Sequence, residues 1–591
     1  MIVKKLHNRG TLVMVVLGAL LFLPGLGLAP LFDWDEINFA EAAREMLLSG
    51  DWLRMQIDFK PFWEKPPLFI WLQALSMWLL GVGEYAARLP NALAGIATLV
   101  VVYNMGSLIF NRRFGLFWAL SYTAALFPHL YFKSGIIDPV FNLFIFLSYW
   151  YFILHYWKLK QYPQPRLRHH RLVYLALSGA FAGLAVLTKG QVALVILGMG
   201  IGTFWLMRNQ KLALWLQQGR LNLLLRYDFR QLRGFIPPWH LAVAGLACVV
   251  VLLGWYGLEI LNNGWWFVRE FMVYQVRLLS TEDAGHGGFP GYHFVMVFFL
   301  CFPASILALR SFGCHCAAEV HQRTFKKWML ILFWVVLILF SLVKTKIIHY
   351  SSMSYLPLTF LSAYTLYQTL EGRMRWRRWQ TGLLLGVGLL IALPVLLLPF
   401  VAMNLDAIAP LLQDPFARQT LQARVDWSVL QAAPGLLLLG TLILTVRRLK
   451  RKQYLPGFLL LLLGCTLFLS WLSLNIVPRV ERYSQGAAID FLKAHAHERA
   501  YYTTIGHKSY APYFYGQLQR PTAAGYYAQQ DSGHQHHKRY LDDWLLNSPE
   551  VDRPVYVIAK AKKKQNIADW YPHLQLLYEQ NGFVFYLRPA P

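Results

Sequence analysis

Apolar runs long enough to cross a hydrocarbon core, which takes about 20 residues per helix, recur in this chain from Thr11 almost to Ile476. Only helices satisfy their own backbone in such surroundings, so the runs leave little choice of fold. Composition agrees: of 591 residues 56% are hydrophobic, 16% aromatic and only 15% charged, far from ordinary globular usage. The chain reads as a polytopic α-helical membrane protein. The first run lacks a convincing small-residue cleavage site and more runs follow, which reads as a retained anchor.

A formal net charge of +26 raises the question of nucleic acid, but the basic residues are not gathered on one soluble domain. They fall in alternate short connections, from Lys4, Lys5 and Arg9 through Arg112 and Arg113 to the stretch from Arg447 to Lys452. The positive-inside rule makes those connections cytoplasmic and the intervening ones outward. This predicts about thirteen spans, over 11–31, 89–110, 114–131, 139–157, 172–187, 191–207, 239–261, 292–309, 328–343, 354–369, 382–403, 427–446 and 455–476, with the apolar helix after Pro67 lying in the outer interface. The first outer loop is then 32–88. An odd number of spans carries 477–591 to the outer side. That tail alternates helix-like stretches with the strand-like "AYYTTIG", "PVYVIAK" and "GFVFYLR", which predicts a small α/β domain after a membrane domain of residues 1–476.

Against this orientation certain charges stand out. Lys65, Lys133, Lys189, Arg277, Lys344 and Lys346 lie on the side the rule disfavours, several at span ends. One such cation is a snorkelling anchor; several at one membrane depth suit a lipid phosphate or pyrophosphate held by charge-assisted hydrogen bonds. Facing them are the carboxylates of the first loop, Asp33, Asp35, Glu36, Glu41 and Glu45, then Glu64, and Asp138 in "IIDPV". Asp33 or Asp35 suits a helix N-cap for "EINFAEAAREMLLSG", and Glu41 and Arg44, three apart, suit a surface pair. Asp35 and Glu36 remain as carboxylates able to take a proton from an attacking hydroxyl.

The segments "DEINFAEAAREMLLSGDW", "PFWEKPPLFIWLQAL", "EYAARLPNALAG", "AGLAVLTKG" and "KTKIIHY" resemble, in that order, the PMT/ArnT-like membrane glycosyltransferases of the C class. The resemblance implies a multi-span fold with an outer catalytic cavity and, in the ArnT branch, a periplasmic α/β domain in a bacterial inner membrane. It implies inverting transfer of a sugar from a polyprenyl (undecaprenyl) phosphate carrier to lipid A, another envelope glycan or a secreted protein. By position, Asp35 resembles the family's essential first-loop carboxylate, with Glu36 its companion, and Asp138 the second-loop aspartate. Lys65, Lys189 and Arg277 resemble donor-phosphate ligands, joined by Lys344 and Lys346, while His349 and Tyr350 match the loop that closes over the donor. Glu64 matches a residue near a metal. No cofactor is required by the chemistry, and a divalent metal ion would be held by Glu64 and His286. Asn38 and Gln275 depart from the pattern, where many relatives carry arginine and histidine. A transporter or flippase of the same carrier is the alternative from another class. It would show ionisable residues near mid-span and repeated halves, and the sequence has few of the former and no clear repeat.

Overall fold

A computed structural model of the chain describes residues 2–162, 167–208, 236–280, 287–313, 316, 319–528 and 537–590. Each of the thirteen apolar runs carries a helix. In chain order the first are α1 (Ile2–Phe22), α2 (Asp35–Ser49), α3 (Leu68–Leu80), α4 (Glu84–Ile109), α5 (Arg112–Thr123), α6 (Leu126–Tyr131), α7 (Asp138–Leu159), α8 (Arg171–Lys189) and α9 (Val192–Arg208). Among the described residues eight helices are long and apolar enough to cross a membrane, or nine if the bent pair Tyr292–Leu300 and Ala304–Gly313 counts as one. The expected number is larger because several runs are broken or short: 114–131 splits into α5 and α6, and α9 and Tyr355–Leu370 have 17 and 16 residues. The protein is a multi-pass helical membrane protein. The α3 helix, 13 residues long, reaches about 20 Å, well short of a hydrocarbon core.

Helices pack closely where side chains are small. A Cβ on Gly115 would lie 2.3 Å from the Tyr103 carbonyl oxygen, so α5 meets α4 at a distance only glycine permits. The helix from Trp239 to Asn263 is different: Leu246, Leu253 and Leu261 are exposed on it, which suits a face against lipid tails.

The last long apolar helix, Tyr454–Asn475, is followed by a four-stranded mixed sheet in the order β3-β4-β6-β5. Its strands are β3 (Tyr501–Ile505), β4 (Val555–Lys560), β5 (Gln575–Gln580) and β6 (Phe583–Arg588); two short strands, β1 (Gln56–Ile57) and β2 (Lys60–Pro61), pair in the first loop. β3 runs parallel to β4, with Tyr501 opposite Val555, while β6 is antiparallel to both neighbours.

The sheet does not stand apart from the first loop. Leu31, Ile37, Ala43, Met46 and Met55 belong to the same buried apolar cluster as Phe491, Tyr501, Phe514, Val557 and Phe585. Polar bonds follow: Leu31 N donates to Tyr515 Oη at 2.6 Å, Arg44 Nη2 to the Leu518 carbonyl at 3.0 Å, and the Tyr526 hydroxyl to Asp58. The loop that carries Asp35 is therefore built on the C-terminal sheet.

Candidate active site

Asp35 is the first residue of α2, where its charge suits the helix N-terminus. Neither expected acid caps this helix. The cap position is Trp34, and the Asp33 carboxylate instead accepts from Trp34 N at 2.8 Å and Tyr510 N at 3.1 Å. Asp138 opens α7, with Pro139 preset for the first turn. Lys189 closes α8, followed by Gly190 at φ 94°, where a Cβ would meet the Phe271 ring at 2.4 Å.

These ends converge. Lys189 Nζ donates to Asp138 Oδ1 at 2.6 Å, and it lies 4.9 Å from the centre of the Tyr350 ring. His349 Nε2 stands 3.4 Å from Asp35 Oδ2 and 3.8 Å from Asp138 Oδ2. Among the described residues Asp138 Oδ2 is buried without a hydrogen-bond partner. His349 and Tyr350 sit on a 3-10 turn, Ile348–Ser354, fixed from two sides: Asn142 Nδ2 donates to Ser352 Oγ at 2.8 Å, and His293 Nδ1 is 3.2 Å from Ser351 Oγ. Lys65 Nζ reaches the Tyr274 hydroxyl at 3.4 Å and lies 4.9 Å from the centre of its ring, while the Arg277 guanidinium lies 5.2 Å from the same centre. Lys65 and both aspartates act on His349 and Tyr350 electrostatically, so the two groups form one cluster.

Burial holds the His349 pKa below its ordinary value, against the raising influence of Asp138 and Asp35, and burial raises the Tyr350 hydroxyl. A neutral imidazole, two carboxylates and three cations thus face one another. Such a site can hold an anion on one side and take a proton on the other.

Three expected members lie elsewhere. Glu36, expected beside Asp35, is 1% exposed and points away: its carboxylate accepts from Arg88 at 2.7 and 3.2 Å, from Phe32 N at 2.8 Å and from Gly135 N. Lys346, expected as a phosphate ligand, buries its ammonium on the carbonyls of Phe340, Ser341 and Val343 at the end of the helix Val320–Leu342. Cations suit that end, where carbonyls lack intrahelical donors. Lys133 spends its ammonium on the Pro24 carbonyl at 2.7 Å. Lys344 is exposed and Glu64 half-buried, close enough to raise the Tyr510 hydroxyl pKa. His286 lies outside the described residues, and among those described no three His, Cys, Asp or Glu groups converge as a metal site. Glu41 and Arg44 do pair, at 2.6 and 2.7 Å, but buried.

Sequence reasoning missed Arg88 and Tyr274. Arg88 also donates to the carbonyls of Leu26, Ala29 and Pro30, tying the end of α1 to Glu36. Its signal was an arginine inside an apolar helix, which requires a partner.

Comparison with known proteins finds likeness in sequence and in fold. The family described as dolichyl-phosphate-mannose-protein mannosyltransferase matches residues 64–225. An undecaprenyl phosphate-alpha-4-amino-4-deoxy-L-arabinose arabinosyl transferase of Pectobacterium carotovorum is 26% identical over 473 residues, covering 79% of this chain and 75% of the relative. A transferase of the same description from Sodalis glossinidius is 31% identical over 179 residues, 30% of this chain and 31% of the relative. The crystal structure of ArnT from Cupriavidus metallidurans bound to undecaprenyl phosphate superposes with a TM-score of 0.72, at 18% identity, over 98% of this chain and 97% of that one. In fold the chain is similar to a membrane glycosyltransferase, and its sequence relatives are named for sugar transfer from a lipid phosphate. The chain is thus similar to PMT/ArnT-like transferases, in sequence most clearly over residues 64–225 and in fold over nearly its whole length.

Proposed function

We propose that this protein transfers a sugar of the 4-amino-4-deoxy-L-arabinose type from undecaprenyl phosphate to lipid A, on the outer face of a bacterial inner membrane. The observation that carries the reading is the meeting of Asp35, His349 and Asp138 with Lys189, beside Lys65 and Arg277 around Tyr274. The names of the matched transferases support the choice of carrier and sugar. The alternating charges of the connections support placing the first loop and the residues after 476 outside, where lipid A is reached.

In this mechanism Lys65 and Arg277 bind the donor phosphate, and the exposed Lys344 joins them. Lys189 holds Asp138 in place. Asp35 takes the proton of the acceptor O–H; the acceptor oxygen attacks the anomeric carbon opposite the phosphate; the bond from that carbon to the phosphate oxygen breaks, and undecaprenyl phosphate leaves with the electron pair. Configuration inverts, and the cations stabilise the charge that develops on the leaving oxygen. Glu36 serves by position, since its partners fix the start of α2 and, through Gly135, the approach to Asp138.

The test is mass spectrometry of lipid A from cells with and without the protein, together with purified full-length protein given the lipid-linked sugar and lipid A. Gain of one aminoarabinose mass and release of undecaprenyl phosphate are expected. Unchanged lipid A alongside altered envelope glycoprotein would overturn the acceptor assignment, and carrier movement without any release of undecaprenyl phosphate would overturn the transferase reading.

A further inference from the structure

Immediately before Asp35 the backbone does something unfavourable. Trp34 lies at φ 71° and ψ −108°, a region that a bulky L-residue scarcely adopts. Its indole remains 41% exposed. Over it, 4.9 Å from the ring centre, stands the ammonium of Lys508 from the C-terminal domain, and the same ammonium is 5.2 Å from the centre of Tyr510. The two rings meet edge to face at 5.8 Å and 74°. Asp33 holds both aromatic residues by their backbone, accepting from Trp34 N and Tyr510 N with the same oxygen.

We propose that Trp34, Tyr510 and Lys508 form the subsite for a phosphorylated saccharide, the head of the acceptor, at the rim of the reaction cavity. The inference rests on the transferase reading above and adds where the acceptor is held.

The chemistry fits part by part. A saccharide ring offers a face of C–H bonds that stacks on an exposed indole, and an ammonium offers three N–H donors to a phosphate. Among the described residues Lys508 forms no ion pair with a carboxylate; it hydrogen-bonds the Tyr510 side chain and is otherwise exposed, with N–H donors left for a phosphate. The location fits as well. Trp34 is the residue before Asp35, whose carboxylate stands 3.4 Å from His349 Nε2. Glu64, next in sequence to Lys65 of the donor side, lies near enough to Tyr510 to add to the raising of its hydroxyl pKa by burial. Domain docking does not account for the arrangement, because the buried cluster and the bonds of Tyr515, Leu518 and Tyr526 already join the loop to the sheet. A solvent-open cation over a ring adds little to that junction.

The experiment uses full-length protein in nanodiscs. Binding of bis-phosphorylated lipid A and of the same lipid A dephosphorylated is measured at equilibrium, and transfer is followed at saturating acceptor. Lys508→Gln is expected to weaken binding of phosphorylated lipid A about ten-fold, leave binding of the dephosphorylated form within about two-fold, and keep most of the maximal rate. Lys508→Arg restores binding. Trp34→Phe weakens binding of both forms less than Lys508→Gln weakens that of the phosphorylated one. Equal losses for both lipids in Lys508→Gln, or unchanged binding of the phosphorylated one, overturn the proposal. If wild-type protein binds phosphorylated lipid A through Lys508 yet transfers nothing, the transferase reading fails while the subsite stands.

Discussion

Glu36 and Arg88 form a two-bonded ion pair, at 2.7 and 3.2 Å, in the buried ground between α1, α2 and α4, while Asp35, one residue earlier, faces His349. Successive residues on a helix point about 100° apart, and that rotation separates the acid held by Arg88 from the one proposed as general base. Removing one partner of a buried pair leaves the other charge uncompensated. Glu36→Gln should therefore destabilise by about 3–5 kcal/mol, seen as a lower thermal midpoint, whereas Asp35→Asn should leave the midpoint near that of the wild type.

Asp35→Asn keeps shape and loses basicity. Transfer from purified undecaprenyl-linked sugar should fall about 10²- to 10⁴-fold, the usual contribution of a positioned general base. Donor binding, measured with undecaprenyl phosphate alone, should stay within a few-fold. Full transfer by this variant would remove Asp35 from the reaction.

His349 supplies a pH dependence. Its pKa is depressed in the folded protein because burial opposes the charged form, so its contribution to stability is whole above the unfolded value of about 6.5 and is lost as pH falls from there through the folded value. Activity and thermal midpoint should both fall below pH ~6.5 for the wild type. His349→Gln should flatten that acid limb of the midpoint, and a limb unchanged by the substitution would assign it to another group.

Lys346 separates capping from phosphate binding. Lys346→Met leaves three carbonyls at the end of the helix Val320–Leu342 without their donor, and each buried acceptor so orphaned costs about 1–3 kcal/mol. The expected result is a lower thermal midpoint with the donor KM unchanged. Lys65→Met should give the reverse, a raised donor KM at nearly constant midpoint.

Helices were legible because apolar length is a direct consequence of the solvent: every one of the thirteen runs, from 11–31 to 455–476, lies on one. Asp35, Lys65, Asp138, Lys189 and Arg277 were legible as charges where an outward connection disfavours them, or as acids at a span end, and the structure brings them together. Glu36 and Lys346 were misread for one reason. Sequence gives the charge of a side chain but not the direction of its helix face, nor whether backbone carbonyls wait within reach. Arg88, inside "EYAARLPNALAG", and Tyr274, three residues before Arg277, gave no sign of their roles, since these depend on partners 52 and 209 positions distant, Glu36 and Lys65. The apolar face of α2 was visible as an amphipathic helix, yet nothing in its own residues names the C-terminal sheet as its cover.

That cover sets an order of events during synthesis. The loop bearing Asp35 emerges among the first hundred residues, but Leu31, Ile37 and Met46 find their buried neighbours only when Val557 and Phe585 exist. A chain cut short before β4 and β6 would carry the carboxylate proposed as general base on an unsupported loop. The proposed site would thereby wait on the strands of the sheet, made some five hundred residues after the loop they cover.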